Sequence, residues 1–322
     1  MSGTLSISQM HVATEILFWS VVAACLNLVL GYAGQMHLAL GAFVGFGAYV
    51  GTLGTGYWNW PGYVSIGVAA IGAFAVSAML SLFIFRAKEL QFALLTAGIA
   101  LVAYAVMANW STVTGGFSGL STGGPLALGG IPKPLTLGPL EVSTERDYLV
   151  LMLVALAVTL LGTTFLGRSR IGRAWVAVRD DEVLAASLGV KVGAEKRRAF
   201  VASSTLAAAA GVLLAHWLGY ISPDLFWFSD ASIRPLAMLM IGGSGTIAGP
   251  VVGAIIVIGL PALLQSTGRE AVLVYGVLLL FVVMVMPLGV VGTLKRKLRA
   301  RRPAKGADGD GLAHVAAREV ER

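Results

Sequence analysis

Apolar runs of membrane-spanning length recur along the whole of this chain, and no other feature constrains its fold as tightly. They cover residues 12–33, 36–56, 63–85, 90–109, 148–166, 199–221, 233–266 and 270–292. A helix needs about 20 apolar residues to cross the hydrocarbon core of a bilayer. The composition agrees, with 57% of the 322 residues hydrophobic and 12% charged, against about 25% charged in an ordinary soluble protein. The expected fold is an all-α polytopic membrane protein. The run at 233–266 is too long for one crossing, so the expected bundle has about eight to ten transmembrane segments. One cysteine, Cys25, lies within the first run, which excludes an intramolecular disulfide. Residues 1–11 carry no Lys or Arg, so the basic region of a cleaved signal is missing and the first run is read as a retained helix.

The net charge of +7 does not point to nucleic acid, because of where the charges fall. Basic residues gather at the ends of apolar runs, the pattern that sets membrane orientation. Arg86 and Lys88 occupy one connector, a second cluster fills 167–198, and a third begins at Lys295. These three groups hold most of the 23 Lys and Arg and are expected on the cytoplasmic side. The loop at 110–147 holds only Lys133 and Arg146 against Glu141, Glu145 and Asp147, and is expected outside. The domain reading is thus a transmembrane unit over 1–292, with an external loop at 110–147 and a cytoplasmic segment at 167–198. A basic, then disordered, cytoplasmic tail follows over 293–322, its basic start suited to anionic lipid. The side of the N-terminus stays open, since it depends on whether 36–56 crosses fully.

Two apolar runs are interrupted by glycine. The first reads GYAGQMHLALGAFVGFGAYVG from Gly31 to Gly51, and the second reads IGGSGTIAGPVVGA from Ile241 to Ala254. Non-helical backbone at membrane depth survives only where protein buries it or water lines it. A pair of such breaks, one in each half of a chain, points to a transport pathway. The candidate pathway residues are Asn27, Gly34, Gln35, His37, Gly242, Gly243, Gly245 and Gly249. A plainer reading competes with this one. Gly41 and Gly45, Gly47 and Gly51, and Gly245, Gly249 and Gly253 repeat at four-residue spacing, which lets helix backbones pack closely. His37 fits an interfacial helix end as well, and Asn27 fits a plain interhelical hydrogen bond.

The segment GRAWVAVRDDEVLAASLGVKV, from Gly172 to Val192, predicts a short helix over about 181–188. Asp180 or Asp181 caps it, Glu182 suits its positive end, and Gly189 closes it. A helix with apolar residues outside the bilayer needs a cover, either its own bundle or a partner protein. The chain carries no phosphate-binding G-x-x-x-x-G-K-[ST] loop, no grouping of metal-ligand spacing and no nucleophile elbow. His11, His37, His216 and His314 are scattered. No catalytic centre and no cofactor are expected, and energy for uphill transport must come from elsewhere.

These stretches together resemble one family. NLVLGYAGQMHLALGAFVGFGAYV looks like the first signature of the permeases of branched-chain amino acid ABC importers, of the LivM type. TGGFSGLSTG at 114–123 resembles their external-loop signature, GRAWVAVRDDEVLAASLGV their coupling segment, and SIRPLAMLMIGGSGTIAGPVVGA their late glycine signature. The order and spacing match over roughly residues 20–290. The resemblance implies a type II-like importer permease in a bacterial inner membrane. It implies a sister permease, hence a heterodimer, two cytoplasmic ABC ATPases and an external solute-binding protein as partners. It places Arg173, Asp181, Glu182, Ala185, Ala186 and Gly189 in the segment that couples to the ATPase. The chain departs from the family where His37, Leu38, Ala39 and Leu40 replace the usual Ser-Leu-Gly-His after Gln35, and where Arg234 stands in place of an acid.

The function expected is passage of branched-chain amino acids through an ATP-driven importer. Urea and short-amide importers use the same permease type and form the alternative substrate class. A self-sufficient carrier or channel is the competing class, but proton- or cation-coupled carriers normally place acids deep in their spans. Here Glu15 and Glu270 fall near span ends. A membrane enzyme lacks any constellation to support it.

Overall fold

The computed structural model describes residues 7–84, 89–124, 133–137, 140–264 and 289–300. Helix α1, Ile7–Asn27, continues through a π turn at Leu28–Tyr32. Helix α2 then runs Leu40–Gly56, α3 Gly62–Ile84 and α4 Glu89–Asn109. A short α5, Ser111–Thr114, leads to strands β1 Leu120–Ser121, β2 Leu135–Leu137 and β3 Leu140–Val142. Helix α6, Glu145–Arg168, is followed by α7 Arg170–Asp180, α8 Glu182–Ser187 and α9 Val192–Leu218. Strand β4 is Tyr220–Ile221. Beyond it, a π turn at Ser229–Ile233 opens α10, Arg234–Gly242. Helix α11, Gly249–Ala254, passes through a π turn at Ile255–Gly259 into α12, Leu260–Leu264. Helix α13 is Gly289–Ala300.

Among the described residues five helices are long and apolar enough to cross a membrane: Ile7–Tyr32, Gly62–Phe83, Leu90–Asn109, Glu145–Arg168 and Val192–Leu218. The first and last are enclosed by neighbours over most of their length, whereas the other three turn most of their apolar surface outward. The molecule therefore has a centre built on α1 and α9 and a rim built on α3, α4 and α6. The rim surface is what a bilayer or a second membrane subunit covers. In water it would carry an unfavourable ~25 cal/mol for each Å² left exposed.

Helices α2 and α9 run alongside each other at very short range. A Cβ on Gly47 would land on the Ala208 carbonyl, and one on Gly211 would land on the Val44 carbonyl. A Cβ on Gly51 would press on Val212, so Gly47 and Gly51 of the four-residue repeat form a packing seam with α9, as small residues allow. Strand β4 pairs antiparallel with β1, Leu120 opposite Ile221 and Ser121 opposite Tyr220. This ties the loop after α4 to the loop after α9 at one end of the bundle. Helix α6, with 24 residues and so about 36 Å long, separates that end from α7 and α8. A capping box at its start, Thr144 with Asp147, satisfies orphan amides there.

Several boundaries differ from the sequence reading. The run at 36–56 is not one helix, because α2 begins only at Leu40 and residues 34–39 are non-helical. The 31–51 stretch is broken once, at its start, and regular after that. Helix α9 begins at Val192, not 199, and so takes in Lys196, whose charge is met by an ion pair with Glu182. The tail expected from 293 starts inside α13, Gly289–Ala300. Most of the run at 270–292, and the tail from 301, lie outside the described residues.

Candidate functional site

The first break begins where α1 ends. Gly34 takes a positive φ of 73° and turns the chain back toward the bundle interior. The six residues to Ala39 then run without helical hydrogen bonds, so their backbone groups need other partners. Two side chains and one carbonyl supply partners here and in the first turn of α2. The Gln35 amide donates to the Val29 carbonyl at 3.1 Å. Thr96 of α4 accepts from the Leu38 amide at 3.2 Å. Ser232 accepts from the Gly41 amide in the first turn of α2 at 3.3 Å.

This segment carries Gln35 and His37 into the interior, where they are 3% and 1% exposed. His37 is not at an interfacial helix end. Its Nε2 lies 3.2 Å from the Ser204 hydroxyl of α9, and its ring packs 4.6 Å from the Phe200 ring. The His37 Nδ1 and Gln35 Oε1 atoms are buried without a hydrogen-bond partner among the described residues. Buried polar atoms of this kind are rare and call for a water or a polar ligand.

The second break is the tip of a helical hairpin, α10 up to Gly242 and α11 from Gly249. Thr246 stabilises the tip by donating to the Gly243 carbonyl at 2.8 Å and accepting from the Gly249 amide at 3.0 Å. The last turn of α1 reaches this tip directly. Asn27 Nδ2 donates to the Thr246 carbonyl at 3.0 Å, and Asn27 Oδ1 accepts from the Gly245 amide at 2.8 Å. Asn27 is therefore the interhelical hydrogen-bonding residue of the plainer reading, and what it joins is one broken segment to the other. Gly242 and Gly249 face each other across the hairpin, so their smallness serves its close packing.

A third element meets both breaks. Arg179, at the end of α7, donates from Nη1 to the Gly31 carbonyl at 2.7 Å. A Cβ on Gly34 would lie 2.7 Å from Arg179 Cγ, and one on Gly245 would lie 3.0 Å from Arg179 Nη1. The guanidinium is held from behind by Asp180, which accepts from Nε at 3.1 Å and Nη2 at 2.9 Å. Helix α7 is itself anchored by a separate apolar cluster of Trp175 with Leu28, Val29, Ala33 and Ala199. The buried residues Gly172, Trp175 and Val178 recur at the spacing of one helix face.

Helix α8 follows without a gap. Asp181, not Asp180, is its N-cap, accepting from Val183 and Leu184 amides at 2.8 and 2.9 Å. Gly189 closes it with a positive φ of 83°. Glu182 pairs with Lys196 of α9, which fixes α8 against the bundle. Ala185 is 2% exposed within the chain itself, so its side chain is turned away from any docking surface. The outward face carries Val183 and Leu188, 81% and 76% exposed, with Ala186 also exposed. Arg173 lies on the outer side of α7 and donates to the Arg168 carbonyl at 2.9 Å.

Sequence reasoning missed Arg179, which it counted only as an orientation charge, and it missed Thr96, Ser203, Ser204 and Ser232. The Ser203–Ser204 pair inside an otherwise apolar run was a usable signal, and Ser203 now donates to the Cys25 carbonyl at 2.7 Å.

The sequence model of a family described as branched-chain amino acid transport system / permease component matches residues 9–288. Among curated relatives, the LivM permease protein of Escherichia coli strain K12 is 27% identical, covering 93% of this chain and 74% of the relative. The BraD permease protein of Pseudomonas aeruginosa is 24% identical over 85% of this chain and 91% of its own length. The LivH permease protein of Escherichia coli strain K12 is 32% identical over 45% of this chain and 46% of its own length. All three are named for high-affinity branched-chain amino acid transport systems. No solved structure matches the chain.

Proposed function

Because this chain belongs to the branched-chain amino acid transport system permease family, we propose that it is the membrane-embedded permease subunit of an ATP-driven importer for branched-chain amino acids. It is a multi-pass inner-membrane protein that forms the path and leaves ATP hydrolysis to separate subunits. Its partners in this reading are a sister permease, two ABC ATPases on the cytoplasmic side and a solute-binding protein outside. The LivM and LivH relatives are named as permease proteins of a high-affinity branched-chain amino acid transport system, which supports a paired permease.

The observation that carries the mechanism is the contact of Arg179 with Gly31. Helix α8 presents Val183, Ala186 and Leu188 outward, as the surface that an ATPase cleft covers. A displacement of α8 passes through Asp181 to the end of α7, and Arg179 there touches both chain breaks. Closing and opening of the nucleotide sites thereby shift the two breaks together, which an equilibrium between two states requires differential contacts to do. The re-entrant residues Gln35 and His37 offer buried polar atoms near that moving junction.

The rival class of a self-sufficient carrier draws no support from the one acid within the described part of α1. Glu15 is already engaged by Arg234 at 3.4 Å.

The test is purification of the tagged chain from its native membrane, identification of the subunits that accompany it, and reconstitution with trapped ATP. The proposal expects an ATPase and a second permease, and leucine uptake that needs both ATP and binding protein. Leucine uptake by the chain alone, or a complex that passes urea or short amides and not leucine, overturns it.

A further inference from the structure

At the end of the bundle remote from α8, a cavity of about 370 Å³ opens between α1, α9 and the start of α10. That volume lies in the usual range for a small-molecule site, about 300–1,000 Å³. Its lining has two parts. Trp19, Leu214, Trp217, Leu218 and Leu225 supply apolar surface, and Glu15, Asp224, Asp230 and Arg234 line it with three carboxylates and one guanidinium. Glu15 lies about 12 Å along α1 from Ile7, toward the start of a helix of membrane-spanning length.

The charges are arranged rather than scattered. Arg234 Nη2 meets Glu15 Oε1 at 3.4 Å, and the guanidinium sits 5.5 Å over the Trp19 ring. A guanidinium has five N–H donors, so this pair leaves it able to hold a second carboxylate. The wall is fixed too: Trp217 Nε1 donates to Glu145 at 3.2 Å, and the His11 ring stacks on Trp217 at 4.7 Å. One guanidinium among several carboxylates, beside an apolar wall, complements a zwitterionic α-amino acid with an aliphatic side chain. A neutral amide offers neither a carboxylate to the guanidinium nor an ammonium to the acids.

We infer that this cavity is a recognition site on the permease itself for zwitterionic aliphatic amino acids, distinct from the two chain breaks. Arg234 receives the carboxylate, Glu15 and Asp230 receive the ammonium, and Trp19, Leu214 and Trp217 take the side chain. The site filters what the binding protein releases before it reaches Gln35 and His37. This inference rests on the permease reading above.

The test is binding of radiolabelled L-leucine to the purified complex, without its binding protein. Leucinamide, which lacks the carboxylate, and 4-methylpentanoate, which lacks the ammonium, serve as competitors. The expected result is saturable leucine binding, with both competitors weaker by about tenfold, the scale of one lost charge-assisted hydrogen bond. Arg234→Gln and Glu15→Gln should each abolish it. The double variant Glu15→Arg with Arg234→Glu keeps mutual attraction but reverses the polarity, and should restore neither binding nor uptake. Restored uptake in that double variant makes the pair a structural clamp and overturns the inference. Absent saturable binding, or equal competition by all three compounds, also overturns it. If those variants fail to assemble, Leu214→Trp, which fills the apolar wall and leaves the charged groups in place, should abolish binding in the assembled complex, and unchanged binding there overturns the inference. Loss of this inference with normal leucine uptake leaves the importer reading standing, whereas a wild-type complex that takes up no leucine removes that reading itself.

Discussion

Arg179 Nη1 donates a hydrogen bond of 2.7 Å to the carbonyl of Gly31, a residue 148 positions earlier in the chain. That carbonyl lies at the end of α1, where the helix has widened into a π turn. Carbonyls in the last turn of a helix lack intrahelical partners, and a cation there also suits the negative end of the helix dipole. One side chain from α7 thus closes α1, abuts the re-entrant turn at Gly34 and lies against the hairpin tip at Gly245.

Removing that contact should uncouple rather than unfold. Arg179→Ala is expected to lower uptake by about tenfold or more, the scale of a lost charged hydrogen bond, while the complex still assembles through the Trp175 cluster. Arg179→Lys should recover only part, since a point charge cannot replace the guanidinium fork. The check is ATPase activity and uptake measured on the same purified complex. Loss of assembly in both variants would make Arg179 a folding residue.

Asn27 spends both ends of its amide on the hairpin tip. Asn27→Leu leaves the Gly245 amide and Thr246 carbonyl without these partners in a partly buried site. The expected cost is about 1–3 kcal/mol, read as a lower thermal midpoint of the detergent-solubilised complex. An unchanged midpoint would mean the two breaks hold their geometry independently.

The α2–α9 seam should be intolerant of single methyl groups. Gly47→Ala and Gly211→Ala each drive a Cβ into a carbonyl of the facing helix. Overpacking of this kind costs about 1–3 kcal/mol. Gly162→Ala, where a Cβ meets nothing within 4 Å, is the control. Equal stability of all three variants would contradict the seam.

How much of this was legible in the sequence depends on the range of the interaction. The spans, the Asp181-capped helix and the two breaks are local signals, written in apolar runs, caps and glycines. The positive φ at Gly34 and Gly189 follows the same local logic. The partners across the breaks were not legible. Nothing in the neighbourhood of Thr96 or Ser232 says that each satisfies an amide of the segment near 38–41. Arg179 looked like one more orientation charge because its role depends on where α1 ends in space. The family resemblance placed Ala185 in the coupling segment, and only the fold shows that it is buried within the chain, between the Asp181 cap and the end of α8. Glu15 and Arg234 lie far apart in the sequence, and only folding brings them together.

The outward face of α8 makes a separate prediction. Leu188→Asp and Val183→Asp place charge on exposed apolar positions without disturbing the chain's own packing. Both should weaken recovery of the ATPase with the purified permease, whereas Ala185→Leu should instead lower permease stability. Normal ATPase recovery in the two charge variants would show that α8 faces solvent in the assembled transporter.

In the proposed function this chain passes branched-chain amino acids under the control of ATP hydrolysis on separate subunits. The most direct test is leucine uptake into proteoliposomes holding the assembled complex, with ATP trapped inside and the loaded binding protein outside. The wild type should accumulate leucine against a gradient and take up none without ATP, while Arg179→Ala should hydrolyse ATP with uptake lowered by about tenfold or more. Uptake that persists without ATP, or wild-type vesicles that hydrolyse ATP and accumulate no branched-chain amino acid, would contradict it.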